Sequence, residues 1–223
     1  MHAIAAGACA VLLCGVCHAQ AREIAVDVGH YLDRPGVISA GGIPEFEFNR
    51  RLALQVRDAL ERRGHRVRMI GERGDMRELA ARPRAAAGAD LFVSIHHDSV
   101  RERYLPVAHE FSGYSLFVSR QNPHLERGLA CASAIGSAMR AAGFAPSLYH
   151  ADPERGGNRP FADRDNGVHF YDNLAVARTE VLPALLFEAG VIVNREEEVR
   201  LARPETQQAI AAAIAEGVTR CLN

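Results

Sequence analysis

Two histidines and two glutamates of this chain stand at positions from which they could do metal-assisted chemistry. Three of them follow short apolar runs, and the other begins an amphipathic stretch after a glycine-rich segment. Imidazole nitrogens and carboxylate oxygens bind zinc, and a carboxylate that holds no metal can carry a proton. The four residues are His30, Glu45, His96 and Glu188.

A set of two histidines and one carboxylate is typical of catalytic zinc sites. Such a set leaves the fourth position of tetrahedral zinc open. The metal polarises a carbonyl and makes water acidic enough to ionise near neutral pH. Amide hydrolysis also needs a group that takes a proton from water and gives it to the leaving nitrogen, because an amine anion leaves badly. The pattern is therefore that expected of a zinc-dependent hydrolase.

The elements that must position these side chains alternate between strands and helices. Apolar and β-branched runs predict strands at residues 23–28, 65–70, 90–95, 114–119 and 184–187. Apolar residues at helical spacing predict helices at residues 45–63, 76–87, 123–142 and 196–222, the last with a break at Pro204. This alternation predicts a single three-layer α/β domain with a mainly parallel sheet flanked by helices. Ligands of such sheets gather where strands end, so we expect the zinc site at the C-terminal rim of the strands.

One long segment shows neither kind of periodicity. Residues 147–173 are rich in Gly, Pro, Asp and Arg, which predicts a surface loop, and loops of this length are often functional. Its basic side chains could bind peptide carboxylates or sugar hydroxyls, or could simply be solvated. They are Arg155, Arg159, Arg164 and His169.

The composition is that of a soluble globular protein and argues against some classes of partner. Hydrophobic residues make up 48% of the 223 positions and charged residues 24%. The formal net charge of −1 favours neither nucleic acid nor an anionic membrane as a partner. No apolar run beyond the N-terminus is long enough to span a bilayer.

The N-terminus predicts an export signal. Residues 1–19 contain no Lys, Arg, Asp or Glu, and they include an apolar run of signal-peptide length. Small residues permit cleavage after Ala19 or Ala21. We therefore expect residues 1–21 to be a signal peptide and residues 22–223 to form the catalytic domain, in the periplasm or secreted. An unprocessed apolar terminus is the alternative.

Cysteine usage leaves two states open. Three cysteines lie in the expected signal, and only Cys131 and Cys221 belong to the expected mature chain. An oxidising periplasm would permit a disulfide between them. Two free or buried thiols are the other interpretation, and neither cysteine lies in a metal-ligand pattern.

Four short motifs that contain the four candidate residues follow one another along the chain. They are Val26–His30, Gly42–Glu45 with Asn49, Ser94–Asp98, and Pro183–Gly190 with Asn194. They resemble the motifs of the zinc-dependent N-acetylmuramoyl-L-alanine amidases, which read Asp-x-Gly-His, Gly-x-x-Glu with Asn four residues later, Ser-x-His-x-Asn, and Pro-x-Leu-x-Glu-x-Gly with a later Asn. The resemblance runs from about residue 24 to the C-terminus. Each motif is weak alone, but four in order at compatible spacing are specific.

The resemblance implies a role for each candidate residue. His30, Glu45 and His96 would hold one zinc ion, and Glu188 would be the catalytic carboxylate. Glu45, rather than Glu47, falls at the ligand position of the family. These two glutamates point to different faces of a helix, so only one of them is expected to reach the metal.

Three further residues are candidate substrate contacts. His97 is an additional histidine, either a substrate contact or an exposed turn residue. Asp98 replaces the Asn of the family and could orient a ligand or cap a turn. Arg178 stands where the family often has Arg, either for substrate or in a structural salt bridge. Residues 31–36 depart from the Gly-Gly-x-Asp-x-Gly stretch of the family, so the shape of the loop near the metal is not predicted.

The resemblance implies hydrolysis of the amide bond between N-acetylmuramic acid and L-alanine, in peptidoglycan or its soluble fragments. One alternative is a zinc carboxypeptidase, which would need an arginine for a free C-terminal carboxylate. Another is a catalytically silent wall-binding protein, against which the intact set of candidate residues argues. No separate wall-anchoring domain is apparent in the sequence, so targeting is expected to come from the domain itself or from an unseen regulatory partner.

Overall fold

The structure is a computed structural model that describes residues 21–223. Apart from Ala21, the expected export signal lies outside the described residues. The strands are β1 (Glu23–Val28), β2 (Arg66–Ile70), β3 (Leu91–Asp98), β4 (Ser115–Val118), β5 (Phe161–Asp163), β6 (Val168–Phe170) and β7 (Ala184–Val191). The α-helices are α1 (Glu45–Arg62), α2 (Ala81–Ala85), α3 (Leu125–Ala141), α4 (Arg195–Leu201) and α5 (Pro204–Leu222), with 3₁₀ segments at Glu102–Glu110 and Tyr149–Ala151.

The strands form one seven-stranded sheet in the order β2-β1-β3-β7-β4-β6-β5. Four of its six strand pairings are parallel, whereas β4 runs antiparallel to β7 and β5 antiparallel to β6. The prediction of a three-layer α/β domain with a mainly parallel sheet is confirmed. Because β1, β3 and β7 are parallel neighbours, their C-terminal ends meet at one rim of the sheet.

The two faces of the sheet are covered unequally. On one face, α1, α3 and α5 pack over the main core, to which α1 contributes a fully buried stripe at four-residue spacing. The opposite face carries the short α2 and a segment before β7, which pack on Phe92 and Leu186. No helix among residues 21–223 combines the length and the apolar character needed to cross a bilayer. The α1 stripe consists of Phe48, Leu52, Val56 and Leu60.

A disulfide joins the two long helices of the larger layer. Cys131 of α3 and Cys221 of α5 are bonded, with their Cα atoms 5.0 Å apart and a sequence separation of 90. Of the two states that the sequence left open, the structure has the bonded one.

The helix predicted at residues 76–87 is mostly absent, since only Ala81–Ala85 is helical. The reason is a buried arginine that the pattern could not reveal. The guanidinium of Arg82 donates to the carbonyl of Met76 at 2.8 Å, so this carbonyl is satisfied by a side chain instead of a helical amide. The final predicted helix is interrupted before Pro204, as expected, because proline begins the second piece where its missing N–H costs nothing.

The surface loop predicted at residues 147–173 contains two strands. β6 pairs with β4 and places Val168 and His169 in the interior, and β5 continues the sheet to its edge. The prediction of an irregular loop is therefore wrong for this part, because strands of three residues are too short to show an alternating pattern. β3 and β7 are also longer than predicted, so His96 and Glu188 lie within strands.

Candidate metal centre and neighbouring carboxylate

His30, Glu45 and His96 meet at the rim where β1 and β3 end. His30 Nε2 lies 2.9 Å from Glu45 Oε2, and His96 Nδ1 lies 3.1 Å from Glu45 Oε1. One potential ligand atom from each residue falls within 4.8 Å of the others. The Glu45 side chain is only 5% exposed, whereas those of His30 and His96 are 31% and 16% exposed, so a solute can reach the imidazoles.

The backbone around this cluster is shaped to let the three side chains converge. A Cβ atom at Gly29 would lie 2.3 Å from His96 Nε2, and one at Gly36 would lie 2.3 Å from Glu45 Oε2. His30 itself has a φ of 68°, which is uncommon for a residue other than glycine and clusters at functional sites. Glycine at both neighbouring positions is therefore a steric requirement of the cluster.

Arg82 holds the backbone that carries His30. Its guanidinium donates to Asp27 Oδ1 at 2.7 Å, to the Val28 carbonyl at 2.7 Å and to the His30 carbonyl. Ser94 completes the network by donating to Asp27 Oδ2 at 2.6 Å. This buried ion pair spans β1, β3 and α2, and it fixes the unusual conformation of His30 from behind the sheet.

Asn49 supports the cluster from α1, one helical turn after Glu45. Its side-chain amide donates to Glu45 Oε1 at 3.1 Å and to the Gly29 carbonyl at 3.3 Å. Its carbonyl oxygen accepts from His97 Nδ1 at 2.8 Å. Asn49 thereby orients the carboxylate that lies between the two imidazoles.

His97 faces the interior rather than the surface. It is 2% exposed and packs against Phe48 with ring centroids 5.3 Å apart. Burial lowers the pKa of His97 to about 3, so the ring is neutral. The prediction of an exposed turn residue is wrong, because β3 continues through His97 and turns its side chain towards α1. A buried ring that donates to Asn49 also offers no surface to a substrate.

Glu45 is an ionised carboxylate despite its burial. Burial acts to raise the pKa of Glu45, but hydrogen bonds to His30 and His96 and electrostatic attraction by the two rings outweigh it and hold this pKa far below its usual range. Glu47 is not part of the cluster.

Glu188 lies beside the cluster as a carboxylate of a different kind. It stands opposite His96 in the register of β3 and β7. Within residues 21–223 its buried Oε2 has no hydrogen-bond partner. Burial, followed by the negative charges of Asp98 and Glu45, raises the pKa of Glu188 well above its usual value. A carboxyl group with a raised pKa holds a proton more readily than an ordinary glutamate, which suits proton transfer.

Asp98 is directed away from the cluster and into a second polar group. It accepts hydrogen bonds from the Tyr149 hydroxyl at 2.6 Å, from His150 Nε2 at 2.7 Å and from the Ser99 amide at 2.8 Å. Asp98 forms no hydrogen bond with any of the three residues of the candidate metal cluster. Its hydrogen bond from the Ser99 amide instead stabilises the turn at the end of β3. Tyr149 and His150 could not be predicted as partners of Asp98, because they lie about 50 residues away in the sequence, in a segment without a regular pattern.

The remaining candidate arginines differ in their surroundings. Arg178 is exposed and forms no ion pair with any residue of the described chain, so the predicted alternative of a structural salt bridge is not found. Arg155 pairs with Glu110 at 2.6 Å, and Arg164 is exposed over the ring of Phe161. Arg159 stacks on two aromatic rings near Glu188.

An apolar cleft of about 210 Å³ opens beside the two imidazoles. His30 and His96 form one wall, and Leu79 and the segment 174–176 form the other. A larger cleft of about 580 Å³ lies elsewhere, at the beginning of β3 and β7, and contains none of the four candidate residues. Of these two clefts, the smaller one is therefore the one that adjoins the cluster.

The donor set of the cluster fits zinc. Two imidazole nitrogens and one carboxylate oxygen can converge on one point, Asn49 supports the carboxylate, and a separate carboxyl group stands beside them. These features at the strand-end rim of an α/β sheet are those expected of metal-dependent hydrolases that use a separate carboxylate for proton transfer.

The chain belongs to the N-acetylmuramoyl-L-alanine amidase family, whose model matches residues 24–220. A curated relative, the N-acetylmuramoyl-L-alanine amidase AmiC of Neisseria meningitidis serogroup B, is 27% identical over 221 residues. That match covers 90% of this chain and 52% of AmiC, so the chain spans about half the length of this relative.

Solved structures of amidases share the fold. The catalytic domain of CwlV from Bacillus (Paenibacillus) polymyxa var. colistinus has a TM-score of 0.69 at 24% identity, covering 89% of this chain and 97% of that one. Ami1 of Mycobacterium abscessus has a TM-score of 0.73 at 21% identity, with coverages of 91% and 99%. CwlD of Clostridioides difficile, solved in complex with the GerS lipoprotein, has a TM-score of 0.70 at 20% identity, with coverages of 90% and 98%.

Proposed function

We propose that the chain is a zinc-dependent amidase that hydrolyses the bond between the lactyl group of N-acetylmuramic acid and L-alanine in peptidoglycan. The observation that carries this proposal is the partner-free Oε2 of Glu188 in register with His96 of the candidate metal cluster. Membership of the amidase family supplies the bond that is cut.

His30, Glu45 and His96 would hold the metal. When bound, zinc would supply Lewis-acid chemistry, by polarising the scissile carbonyl and by making water a stronger acid. Arg82 and Asn49 would keep these ligands in place, since Arg82 binds the His30 carbonyl and Asn49 binds the Glu45 carboxylate.

Glu188 carries the proton in this proposal. Its carboxylate takes a proton from the attacking water and then gives it to the nitrogen of the departing L-alanine. Burial next to other carboxylates raises the pKa of this carboxyl group, which makes it a stronger base, and its Oε2 is not tied up in a hydrogen bond. Nothing else in the described protein competes for that oxygen.

Export of the protein belongs to the same proposal. Residues 1–21 are the proposed signal peptide, residues 22–223 the catalytic domain, and the periplasm or the exterior the site of action. The disulfide between Cys131 and Cys221 supports this location, because such bonds persist in oxidising compartments. Sequencing the N-terminus of the protein recovered from a periplasmic fraction tests the cleavage after Ala19 or Ala21, and an intact Met1 would contradict it.

The experiment that tests the metal assignment measures zinc and turnover together. Metal-free protein is titrated with zinc, and release of the peptide from a soluble muramoyl peptide is followed. We expect one zinc ion per chain and recovery of activity at that stoichiometry. Alanine in place of His30, Glu45 or His96 should abolish both, and an unchanged zinc content in all three variants would contradict the assignment. Substitution of the exposed His109 by Ala is the matched control.

A further inference from the structure

Arg159 presents a guanidinium without a carboxylate partner among the described residues. Its Nη1 lies 3.1 Å from His150 Nδ1, and its guanidinium carbon lies 4.1 Å from the ring centroid of Tyr171 and 5.3 Å from that of Phe117. These rings fix the plane of the guanidinium. Because the contact with His150 uses one of its five N–H donors, most of the others stay free for another group.

The contact with His150 shows how the polar group behind Arg159 is arranged. A guanidinium can only donate, so His150 Nδ1 must accept, and the ring proton sits on Nε2, which donates to Asp98 at 2.7 Å. Asp98 is already satisfied by His150, Tyr149 and the Ser99 amide. Asp98 therefore forms no ion pair with Arg159 and is linked to it only through the ring of His150.

Arg159 forms part of the wall of a small cleft. Arg159 lines a cleft of about 110 Å³ together with Arg101, Arg155 and His150. The guanidinium of Arg159 lies over the ring of Phe117 in β4, and Phe117 pairs with Leu186 of β7, two residues before Glu188. Asp98 is the one carboxylate of the described chain that lines the cleft, against three arginines, so the cleft is basic, and it lies one strand away from the residue that we place at the scissile bond.

We propose that Arg159 binds a free carboxylate of the peptide stem, on the leaving-group side of the bond that Glu188 acts on. This inference rests on the proposed function. In the intact substrate the lactyl carboxyl group is consumed in the amide, so the acidic groups near the scissile bond lie on the peptide. The planar fork of arginine matches a carboxylate in two parallel hydrogen bonds.

Three arginines line this cleft, and they are not equally available. Arg101 is less suited, because it donates to the Glu154 carbonyl at 2.8 Å. Arg155 is less suited, because it is paired with Glu110 at 2.6 Å. The guanidinium of Arg159 could also serve a carboxypeptidase, so the identity of the released product must be measured alongside its rate.

The test compares two soluble muramoyl dipeptides that differ in one group. In the first the carboxylate of the second residue is free, and in the second it is a primary amide. We expect the zinc-loaded wild type to prefer the acid form. Arg159→Gln should lower kcat/KM for the acid form by roughly tenfold to a hundredfold, mainly through KM, and change that for the amide form less than about twofold. Arg159→Lys keeps the charge without the fork and should retain part of the preference.

Arg164→Gln is the matched control, because Arg164 comes from the same segment and also stacks on a ring, at 5.1 Å, but does not line the cleft. Equal losses on both substrates in Arg159→Gln, or no preference in the wild type, would overturn the carboxylate site. If Arg159→Gln fails to unfold cooperatively, the two substrates are compared with Arg159→Lys instead, which should retain only part of the preference for the acid form. A wild type that releases a C-terminal residue, or cuts neither substrate, would instead overturn the proposed function.

Discussion

His96 and Glu188 stand side by side in register on the parallel strands β3 and β7. Neighbouring strands lie about 4.8 Å apart, so the backbone itself sets the separation between one candidate ligand and the carboxylate proposed to move the proton. The register shifts immediately afterwards, between His96 and Asp98, which lets Asp98 turn towards Tyr149 and His150. The irregularity thus separates the cluster from the second polar group.

Glu188→Gln should abolish turnover and leave zinc binding intact. Loss of the proton carrier is expected to lower kcat by about 10²- to 10⁴-fold, whereas the three ligands are untouched. Steady-state assays and the zinc content of the purified protein check both parts. Glu180→Gln, at an exposed position shortly before β7, is the control and should behave as wild type. Turnover within about twofold of wild type would remove Glu188 from the mechanism.

Arg82→Met should destabilise the fold and weaken zinc binding together. Removing the guanidinium leaves Asp27 buried without its ion-pair partner, which costs about 3–5 kcal/mol of unfolding free energy. It also releases the His30 carbonyl. Urea unfolding and a zinc titration measure the two effects. Arg84→Met removes an exposed arginine from the same short helix and should cost less than about 0.5 kcal/mol. Similar losses in both variants would contradict the role of Arg82.

Reducing the disulfide should lower stability while leaving the candidate site in place. The bond between Cys131 and Cys221 closes a loop with a sequence separation of 90. By the chain-entropy model a loop of that length contributes about 4–5 kcal/mol to the free energy of unfolding. Urea unfolding of the double variant with Ala at both positions measures the loss, and its zinc stoichiometry should equal that of wild type. An unchanged urea midpoint would mean that the bond does not stabilise the protein.

His169 should make the protein less stable in mild acid. Burial lowers the pKa of His169 from 6.5 to about 4, so the folded protein keeps the ring neutral where the unfolded chain protonates it. Above pH about 6.5 the ring is neutral in both states and has no effect on the free energy of unfolding. As the pH falls towards 4, protonation of the unfolded chain lowers this free energy by about 3 kcal/mol in total.

The slope of unfolding free energy against pH isolates this effect from any general loss of stability. His169→Gln should have a shallower slope between pH 6.5 and 4 than the wild type, whatever its stability at pH 7. His109→Gln, at an exposed histidine, should keep the slope of wild type. Identical slopes in all three proteins would show that His169 does not titrate in this range.

The strand ends that carry the candidate site could be predicted, because apolar runs followed by a histidine or a glutamate are local patterns. His30, His96 and Glu188 are predicted in this way, and Glu45 by its place at the start of an amphipathic helix, where the resemblance to the amidases favours it over Glu47. The burial of Arg82 could not be predicted, because its partners lie in β1, far away in the sequence. Nothing in residues 76–87 distinguishes a buried arginine from an exposed one. Instead, this segment was predicted to be a longer helix.

The second polar group was missed for a related reason. Asp98 contacts Tyr149 and His150 only because β4, β5 and β6 bring a distant segment back to the rim. Strands of three residues show no usable periodicity, so the segment that contains Arg159 was predicted to be a loop. Its arginines were recognised as candidates for binding peptide carboxylates, but the sequence could not distinguish the aromatic-stacked Arg159 from Arg155 and Arg164.

The most direct test of the proposed amidase activity is the identity of the products from peptidoglycan. Purified protein comprising residues 22–223 is incubated with peptidoglycan, with added zinc or with a chelator, and the soluble products are identified by mass spectrometry. The account predicts free stem peptides that begin with L-alanine, lost with the chelator and restored by zinc. Release of single C-terminal residues, or no product from protein with zinc bound, would contradict it.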